Sequence, residues 1–473
     1  MTATLPPDRL ARFAAIVGER HALTAPADVA PHVTEPRGLW TGRTGLVLKP
    51  GSVDEVSKVL ALASETRTPV VPQGGNTGLV GGGTPDMSGG QVVLSLSRLD
   101  RIRELDVASN TITVEAGVVL QRIQEAADAA DRLFPLSLAS QGSAQIGGNL
   151  SSNAGGTGVL AYGNARELCL GVEVVLPTGQ VFDDLRKLKK DNTGYDLKNL
   201  FVGAEGTLGV ITAAVLKLVP KPRGREVAWV GLASPERALA LFSLALDRAG
   251  SGLTAFELCA AISVDFSVRH TPGLTPPLRG DHPWLVLMEI SSGRSADDAR
   301  ALIEEILAEG IGAGHADDAV IAQNLAQAHA FWAIREAMSD AQKPEGASIK
   351  HDISVPVAAI PAFIEKAGRA VLAAAPGARL VTFGHMGDGN LHYNVSQPAG
   401  GDKAAFLARY RELNDIVHAV VREFSGSISA EHGIGRMKRD ELLATQPPVA
   451  TDLMRRIKAS FDPAGIMNPG KVI

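Results

Sequence analysis

Two rhythms of apolar residues divide the chain. Over residues 44–220, short β-branched runs alternate with glycine-rich turns: GLVLKP (45–50), PVVPQGG (69–75), QVVLSLS (91–97), NTITVEAG (110–117), GVEVVLPTG (171–179) and GVITAAVLKLVP (209–220). They read as strands, because β-branched side chains crowd a helix but fit a pleated surface. Between them, VDEVSKVLALASET (53–66) and LQRIQEAADAA (120–130) repeat apolar residues at helical spacing, which lays one apolar stripe along each helix. LVPKPRG (218–224) interrupts the pattern with prolines and basic residues and marks a boundary. Beyond it, EVAWVGL (226–232), TAFELCA (254–260) and WLVLMEI (284–290) read as strands. SPERALALFSLALDRAG (234–250), with a serine cap and a glycine stop, and ADDARALIEEILAEG (296–310) read as helices. This alternation predicts a ferredoxin-like sheet with helices on one face. From Ser429 the chain reads as mostly helical with a short irregular tail. The expected class is α+β, with domains at 1–220 and 221–428 and a closing segment at 429–473.

At 473 residues the chain exceeds what one core serves, in keeping with that division. The net charge of −5 argues against a general nucleic-acid binder, and no apolar run reaches the roughly 18 residues of a membrane span. The opening MTATLPPDRLARFAAIVGER carries Asp8 and Glu19 and lacks the apolar stretch of a signal peptide, so it reads as a first helix. The two cysteines, Cys169 and Cys259, sit in apolar surroundings. They are expected to be buried and unpaired, which fits a reducing, cytoplasmic location.

Candidate chemistry begins with glycines. GSGLTA (250–255) leaves a helix and enters a strand, the reverse of a dinucleotide-binding turn. GIMNPGKV (465–472) lacks the Ser or Thr after Lys471, and no helix can follow it, so it is not a phosphate loop. Three clusters remain: VPQGGNTGLVGG (71–82), SQGSAQIGGNLSSNAGGTGVLAYGN (140–164) and NLFVGAEGTLGVIT (199–212). Each sits beside a strand and combines glycine with Ser, Thr or Asn. Amides unshielded by a Cβ can approach and donate to a pyrophosphate. One such loop would be a tight turn; three with almost no charge imply a long anionic ligand lying against backbone.

FGHMGDGNLHYN (383–394) places His385 and His392 on either side of a GDGN turn signal, between strand-like LVTFGHM and LHYNV. On chemistry alone two readings stand: hydrogen-bonded turn histidines, or imidazoles sharing a cation, with Glu431 of ISAEHGIGR (428–436) as the third ligand. Two His and one carboxylate would leave a coordination position open, as in catalytic zinc. In FWAIREAMSDAQ (331–342), Arg335 and Ser339 lie four apart and are expected on one helix face, with Lys350 on a following strand. Taken singly, each basic residue also reads as a solvated surface charge.

The glycine clusters resemble the flavin segments of the vanillyl-alcohol oxidase/p-cresol methylhydroxylase superfamily. VVPQGGNTGLVGG is similar to its pyrophosphate loop, and AQIGGNLSSNAGG and VGAEGTLGVIT to its second and third segments. The resemblance covers nearly the whole chain. It implies a two-subdomain FAD-binding domain, a ferredoxin-like α+β substrate domain and a small helical C-terminal segment closing on the flavin. The implied FAD contacts are Pro72, Gly74, Gly75, Asn76, Thr77, Gly78 and Leu79 from the first segment. The second contributes Ser140, Gly142, Gly147, Gly148, Asn149, Ser152 and Asn153, and further on Gly155, Gly156, Tyr162 and Gly163. Glu205, Gly206, Gly209 and Ile211 come from the third, and Asn468 from the tail. Members with covalent flavin often carry histidine in the first loop; Asn76 stands here, which implies non-covalent FAD.

HxGDGNLHxN followed by SAEHG resembles the D-2-hydroxyacid dehydrogenases within that superfamily. This implies a divalent metal, zinc by expectation, on His385, His392 and Glu431, with Asn394 and His432 facing substrate and flavin. The implied reaction is oxidation of a D-2-hydroxy acid to the 2-keto acid, with His432 as general base and hydride passing to flavin N5. Arg335, Ser339 and Lys350 would line the substrate pocket. Because the metal would already hold the α-hydroxy-carboxylate, these extra groups suit a second carboxylate. D-2-hydroxyglutarate, or a D-malate-type acid, is therefore expected ahead of D-lactate or glycolate. A reading of another class is a non-catalytic flavin subunit relaying electrons, which would not need the His/His/Glu/His set. An electron-transferring flavoprotein or a quinone is the expected acceptor. The resemblance also allows a homodimer and peripheral attachment to a membrane.

Overall fold

The computed structural model describes residues 5–473, in two compact units. Residues 1–4 of the expected first helix lie outside the described residues; the helix itself runs Pro7–Val17. The first unit comprises 5–155, 163–220 and 431–473, and the second 156–162 and 221–430. Most of the stretch expected as a closing segment, from Glu431 on, thus counts with the first unit. Among the described residues, no helix is long and apolar enough to cross a membrane.

In the first unit, strands Val47–Leu48 and Val70–Gln73 both run parallel to Val92–Ser95, with helix Val53–Thr66 as the crossover. The helix starts where Ser52 accepts the Glu55 N–H at 3.2 Å and ends at Arg67, whose φ of 50° breaks the spiral. Its apolar stripe, Val56, Val59, Leu60 and Ala63, packs with Leu48, Val70 and Leu94 in one core. A five-stranded antiparallel sheet follows, ordered Ile102–Asp106, Thr111–Glu115, Val210–Lys217, Cys169–Val175, Val181–Asp184. The tail docks on the edge of the first sheet: Val70 N donates to Ile466 O and Asn468 N to Val70 O, both at 2.8 Å.

The second unit is built on an eight-stranded antiparallel sheet. Its order is Asp318–Ile321, Gly224–Leu232, Trp284–Ser292, Leu253–Ala260, Arg379–His385, Asn390–Ser396, with Ser348–Ile349 and Asp352–Ser354 both pairing with the last. Helices cover both faces, not the one face expected. Val230, Leu258 and Met288 pack in one core with Leu241, Ile303 and Phe363 of helices Pro235–Ala249, Ala296–Gly312 and Ile360–Ala374. The alternate residues Trp229, Cys259 and Leu287 pack in another with Phe266 and Ile334 of helices Ala261–His270 and Leu325–Ala337. A strand buried on both sides loses the polar–apolar alternation that would report one exposed face. Both cysteines are free and buried, as expected, and burial pushes the Cys169 thiol up to about 12.

Candidate functional site

In the first unit, the loop after strand Val70–Gln73, the short helix Ile146–Ser152 and the turn before strand Val210–Lys217 line one cleft of about 930 Å³, counted to its open mouth. Among the described residues that line it, only Glu205 and His432 are titratable. The glycines do two jobs. A Cβ on Gly75 would collide with the Ser143 carbonyl, and one on Gly147 would lie 2.7 Å from the Ala116 Cβ, so these positions let the loops close on one another. Beyond its own helix, no described heavy atom lies within 4 Å of where a Gly148 Cβ would stand, leaving room for a ligand. Gln145 Oε1 and Asn149 Oδ1 are buried without a hydrogen-bond partner among the described residues. Buried polar atoms rarely stay unsatisfied, so this pair fits a ligand that hydrogen-bonds here.

Of the expected flavin residues, Pro72, Gly74, Gly75, Asn76, Thr77, Gly78, Gly147, Gly148, Asn149, Ser152, Glu205, Gly206, Gly209 and Ile211 line this cleft. Leu79, Ser140, Gly142, Asn153, Gly155 and Gly163 belong to the same unit but do not line it. Gly156 and Tyr162 count with the second unit, where Val159–Tyr162 packs on strand Leu253–Ala260. Gln73, Gln145, Ser151 and Leu96 also line the cleft and were missed, though the first three sit within or beside the glycine clusters.

Three side chains in left-handed backbone tie the cleft together. Asn76, at φ 53°, donates to the carbonyls of Pro31 at 3.0 Å and Thr34 at 2.9 Å. Asn468, at φ 43°, donates to Gly82 O at 3.0 Å and Glu205 O at 2.8 Å, bridging the first and third glycine loops. Glu205, at φ 52°, accepts the N–H groups of Ile434 and Gly435, each at 2.7 Å. Burial pushes the Glu205 pKa up, opposed by these two N–H bonds. Its carboxylate therefore holds the loop behind His432. The His432 ring lines the cleft, its Nε2 3.7 Å from Glu431 Oε1.

The second unit carries the other candidates on one sheet face. Register pairs Phe383 with His392, Val381 with Asn394 and Glu257 with His385. Because side chains alternate, His385, His392, Asn394 and Glu257 share the face that Val381, Phe383 and Cys259 bury. The His385 and His392 rings are 5.8 Å apart, centre to centre. A turn does form at the GDGN signal, with Gly389 but not Asn390 in the left-handed region. Met386–Asp388 makes a single 3₁₀ turn, Gly389 follows at φ 87°, and Asn390 already belongs to the strand. Asp352 stands opposite His392, and its Oδ1 accepts from Asn390 Nδ2 at 3.0 Å.

Glu257 was not anticipated. It is buried in the strand, with Oε1 2.7 Å from His385 Nδ1 and Oε2 accepting from Arg335 Nε at 2.8 Å. Burial alone would raise its pKa; the charges of His385 and Arg335 outweigh this and bring it down to about 2. Arg335 is itself buried, its guanidinium carbon 5.0 Å from the centre of the Phe383 ring. Its Nη2, though 2.8 Å from Glu257 Oε2, lacks hydrogen-bond geometry to any described residue. The expected Arg335–Ser339 helix face does not form, because the helix ends at Ala337 and Ser339 is exposed. Lys350 lies between two short strands rather than on one, and donates to Ser339 O at 2.8 Å and Ser339 Oγ at 3.2 Å. Asn394 is buried, with Oδ1 accepting the His351 N–H at 3.2 Å.

Comparison with known proteins matches two family models: "FAD binding domain" over residues 44–184 and "FAD linked oxidases, C-terminal domain" over 221–472. The chain is 36% identical over 462 residues to a mitochondrial D-2-hydroxyglutarate dehydrogenase of Arabidopsis thaliana, covering 98% of this chain and 80% of the relative. It is 36% identical over 451 residues to a D-2-hydroxyglutarate dehydrogenase of Xanthomonas citri, covering 95% and 93%. A D-2-hydroxyglutarate–pyruvate transhydrogenase of Saccharomyces cerevisiae is 33% identical over 98% of this chain and 94% of its own length. Among solved structures, p-cresol methylhydroxylase with bound substrate superposes with a TM-score of 0.75 at 17% identity, covering 98% of this chain and 96% of that one. The 4-ethylphenol oxidase of Gulosibacter chungangensis gives 0.72 at 17%, covering 100% and 98%. These two show a shared fold.

Proposed function

We propose, from the premise that this chain belongs to the FAD-linked oxidases and is an FAD-dependent dehydrogenase acting on a CH–OH donor, that it converts D-2-hydroxyglutarate to its 2-keto acid. One observation carries the reading: an imidazole, His432, lines the same glycine-walled cleft that fits the flavin. A base at that place is what oxidation of a hydroxyl needs. Bound FAD supplies the acceptor for the Cα hydride. The unsatisfied Gln145 and Asn149 oxygens and the open space at Gly148 fit its presence. Asn76 is not a nucleophile, which supports non-covalent binding.

His385, His392 and Glu431 would hold a divalent metal, proposed as Zn2+. The metal would lower the pKa of the substrate hydroxyl. Two features support the ligand set. The Glu257 carboxylate stands at the Nδ1 side of His385, so a cation on this ring would be held by Nε2. The chain runs beside Asp352–Ser354 up to Ala430, whose N–H faces Asp352 O at 3.4 Å across from His392, and Glu431 is the next residue.

His432, on the wall of the cleft, takes the hydroxyl proton as general base. Asn394 would face the reacting end of the substrate. Lys350, with its ammonium held on Ser339, and Arg335, through Nη2, are proposed to take the distal carboxylate. A D-malate-type acid is the nearest alternative substrate. Electrons then leave to a carrier such as an electron-transferring flavoprotein. Two free, buried thiols fit a reducing compartment such as the cytoplasm. The test is kcat/KM with a dye acceptor for D-2-hydroxyglutarate, D-malate and D-lactate. D-2-hydroxyglutarate is expected to lead; a large preference for D-lactate would overturn the distal-carboxylate assignment.

A further inference from the structure

We propose that Glu257 is a positioning residue that fixes the tautomer of His385 through one oxygen and the pose of Arg335 through the other. This rests on the reading of His385 as a metal ligand.

Glu257 sits mid-strand between Phe256 and Leu258, on a face where its neighbours at two-residue spacing are Ala255 and Cys259. A carboxylate in such surroundings is costly unless both oxygens are engaged. Here they are, with Oε1 at 2.7 Å from His385 Nδ1 and Oε2 accepting from Arg335 Nε at 2.8 Å. An ionised carboxylate only accepts hydrogen bonds. His385 must therefore carry its proton on Nδ1, whatever stands at Nε2. This is the arrangement in which a carboxylate behind a metal-bound histidine sets ring orientation and basicity. The second oxygen extends the same control to a residue proposed to face substrate. Arg335 Nε donates to Glu257 Oε2, and Nη2 stands 2.8 Å from the same oxygen without hydrogen-bond geometry, so the pose of the whole guanidinium is set by this carboxylate. One side chain thus couples the metal end of the site to the substrate-reading end.

Glu257→Gln tests this because an amide keeps the shape but offers one acceptor and one donor. If its oxygen faces His385, its NH2 meets the Arg335 donors. If its NH2 faces His385, the imidazole must move its proton to Nε2 and withdraw its ligand atom. The FAD-loaded protein is stripped of metal and titrated with Zn2+ against a chelating dye, with nitrogen NMR of labelled histidines reporting the tautomer. Glu257→Gln is expected to lose about 10–100-fold in zinc affinity and to move the His385 signal away from the Nδ1–H pattern. His385→Ala is expected to lose the site. Zinc affinity and tautomer as in the wild type for Glu257→Gln, with binding abolished by His385→Ala, would overturn the role of Glu257 and leave the metal reading standing. Equal zinc binding by wild type and His385→Ala would overturn the metal reading itself. If Glu257→Gln does not accumulate folded, the charge-neutral pair Glu257→Gln/Arg335→Gln is read by the same two outcomes.

Discussion

Gly148→Leu separates ligand binding from folding. Gly148 lies in helix Ile146–Ser152 and lines the flavin cleft, and beyond that helix no described heavy atom stands within 4 Å of its absent Cβ. A Cβ there clashes with no described residue, and replacing glycine favours the helix by up to about 1 kcal/mol. The leucine side chain instead enters space proposed for the flavin. Overfilling a packed site typically costs about 1–3 kcal/mol, which corresponds to a rise of roughly 5–150-fold in the FAD Kd. The purified variant should lose yellow colour in proportion. Stripped protein titrated with FAD, followed by flavin fluorescence, should give the raised Kd, while the apoprotein Tm stays level or rises slightly. Gly75→Ala is the contrast, since its Cβ meets the Ser143 carbonyl and should lower the apoprotein Tm. A Gly148→Leu variant that binds FAD as tightly as the wild type would refute the placement of the flavin along this helix.

Three further outcomes follow from named contacts. His432→Asn should keep its FAD yet lose about 10²–10⁴-fold in kcat, read by dye-coupled turnover; undiminished turnover would remove His432 as the base. Glu205→Ala strips the acceptor from the Ile434 and Gly435 N–H groups. It should cost about 1–3 kcal/mol per N–H left unsatisfied and speed hydrogen exchange over 433–436; unchanged exchange would contradict the loop-holding role. Burial and the nearby Arg436 charge lower the pKa of Lys471, which is 3% exposed, from 10.5 to about 8, with Asp86 opposing. The unfolded chain then holds this proton more tightly, so stability should rise as pH climbs from about 8 towards 10.5. Lys471→Met should remove that slope and add up to about 3 kcal/mol at neutral pH, measured by chemical denaturation across pH.

Helices 53–66 and 120–129 were legible because each buries one stripe against a sheet and leaves the rest in water, so spacing alone reveals them. The three glycine clusters were legible because close backbone approach permits little else, as Gly75 and Gly147 show. The second helical layer of the second unit was not. Trp229 and Val230 face opposite cores, and a strand apolar on both sides carries no mark of which face a helix covers. Arg335 was legible as a basic residue in an apolar helix, but its partner Glu257 lies 78 residues earlier, and only the fold joins them. The signal was present: a single carboxylate inside TAFELCA is an unusual thing to bury. The Arg335–Ser339 face was misread because helical spacing was extended past Ala337, where the helix stops.

The glycine-walled flavin cleft and its histidine are proposed to serve oxidation of a D-2-hydroxy dicarboxylate. Anaerobic mixing of the FAD-loaded protein with single D- and L-2-hydroxy acids tests this in one turnover, without any external acceptor. D-2-hydroxyglutarate should bleach the flavin rapidly, its L-enantiomer should not, and D-lactate should do so far more slowly. Bleaching by none of the acids would contradict the account and favour an electron-relay subunit, and bleaching by the L-enantiomers would contradict its stereochemistry.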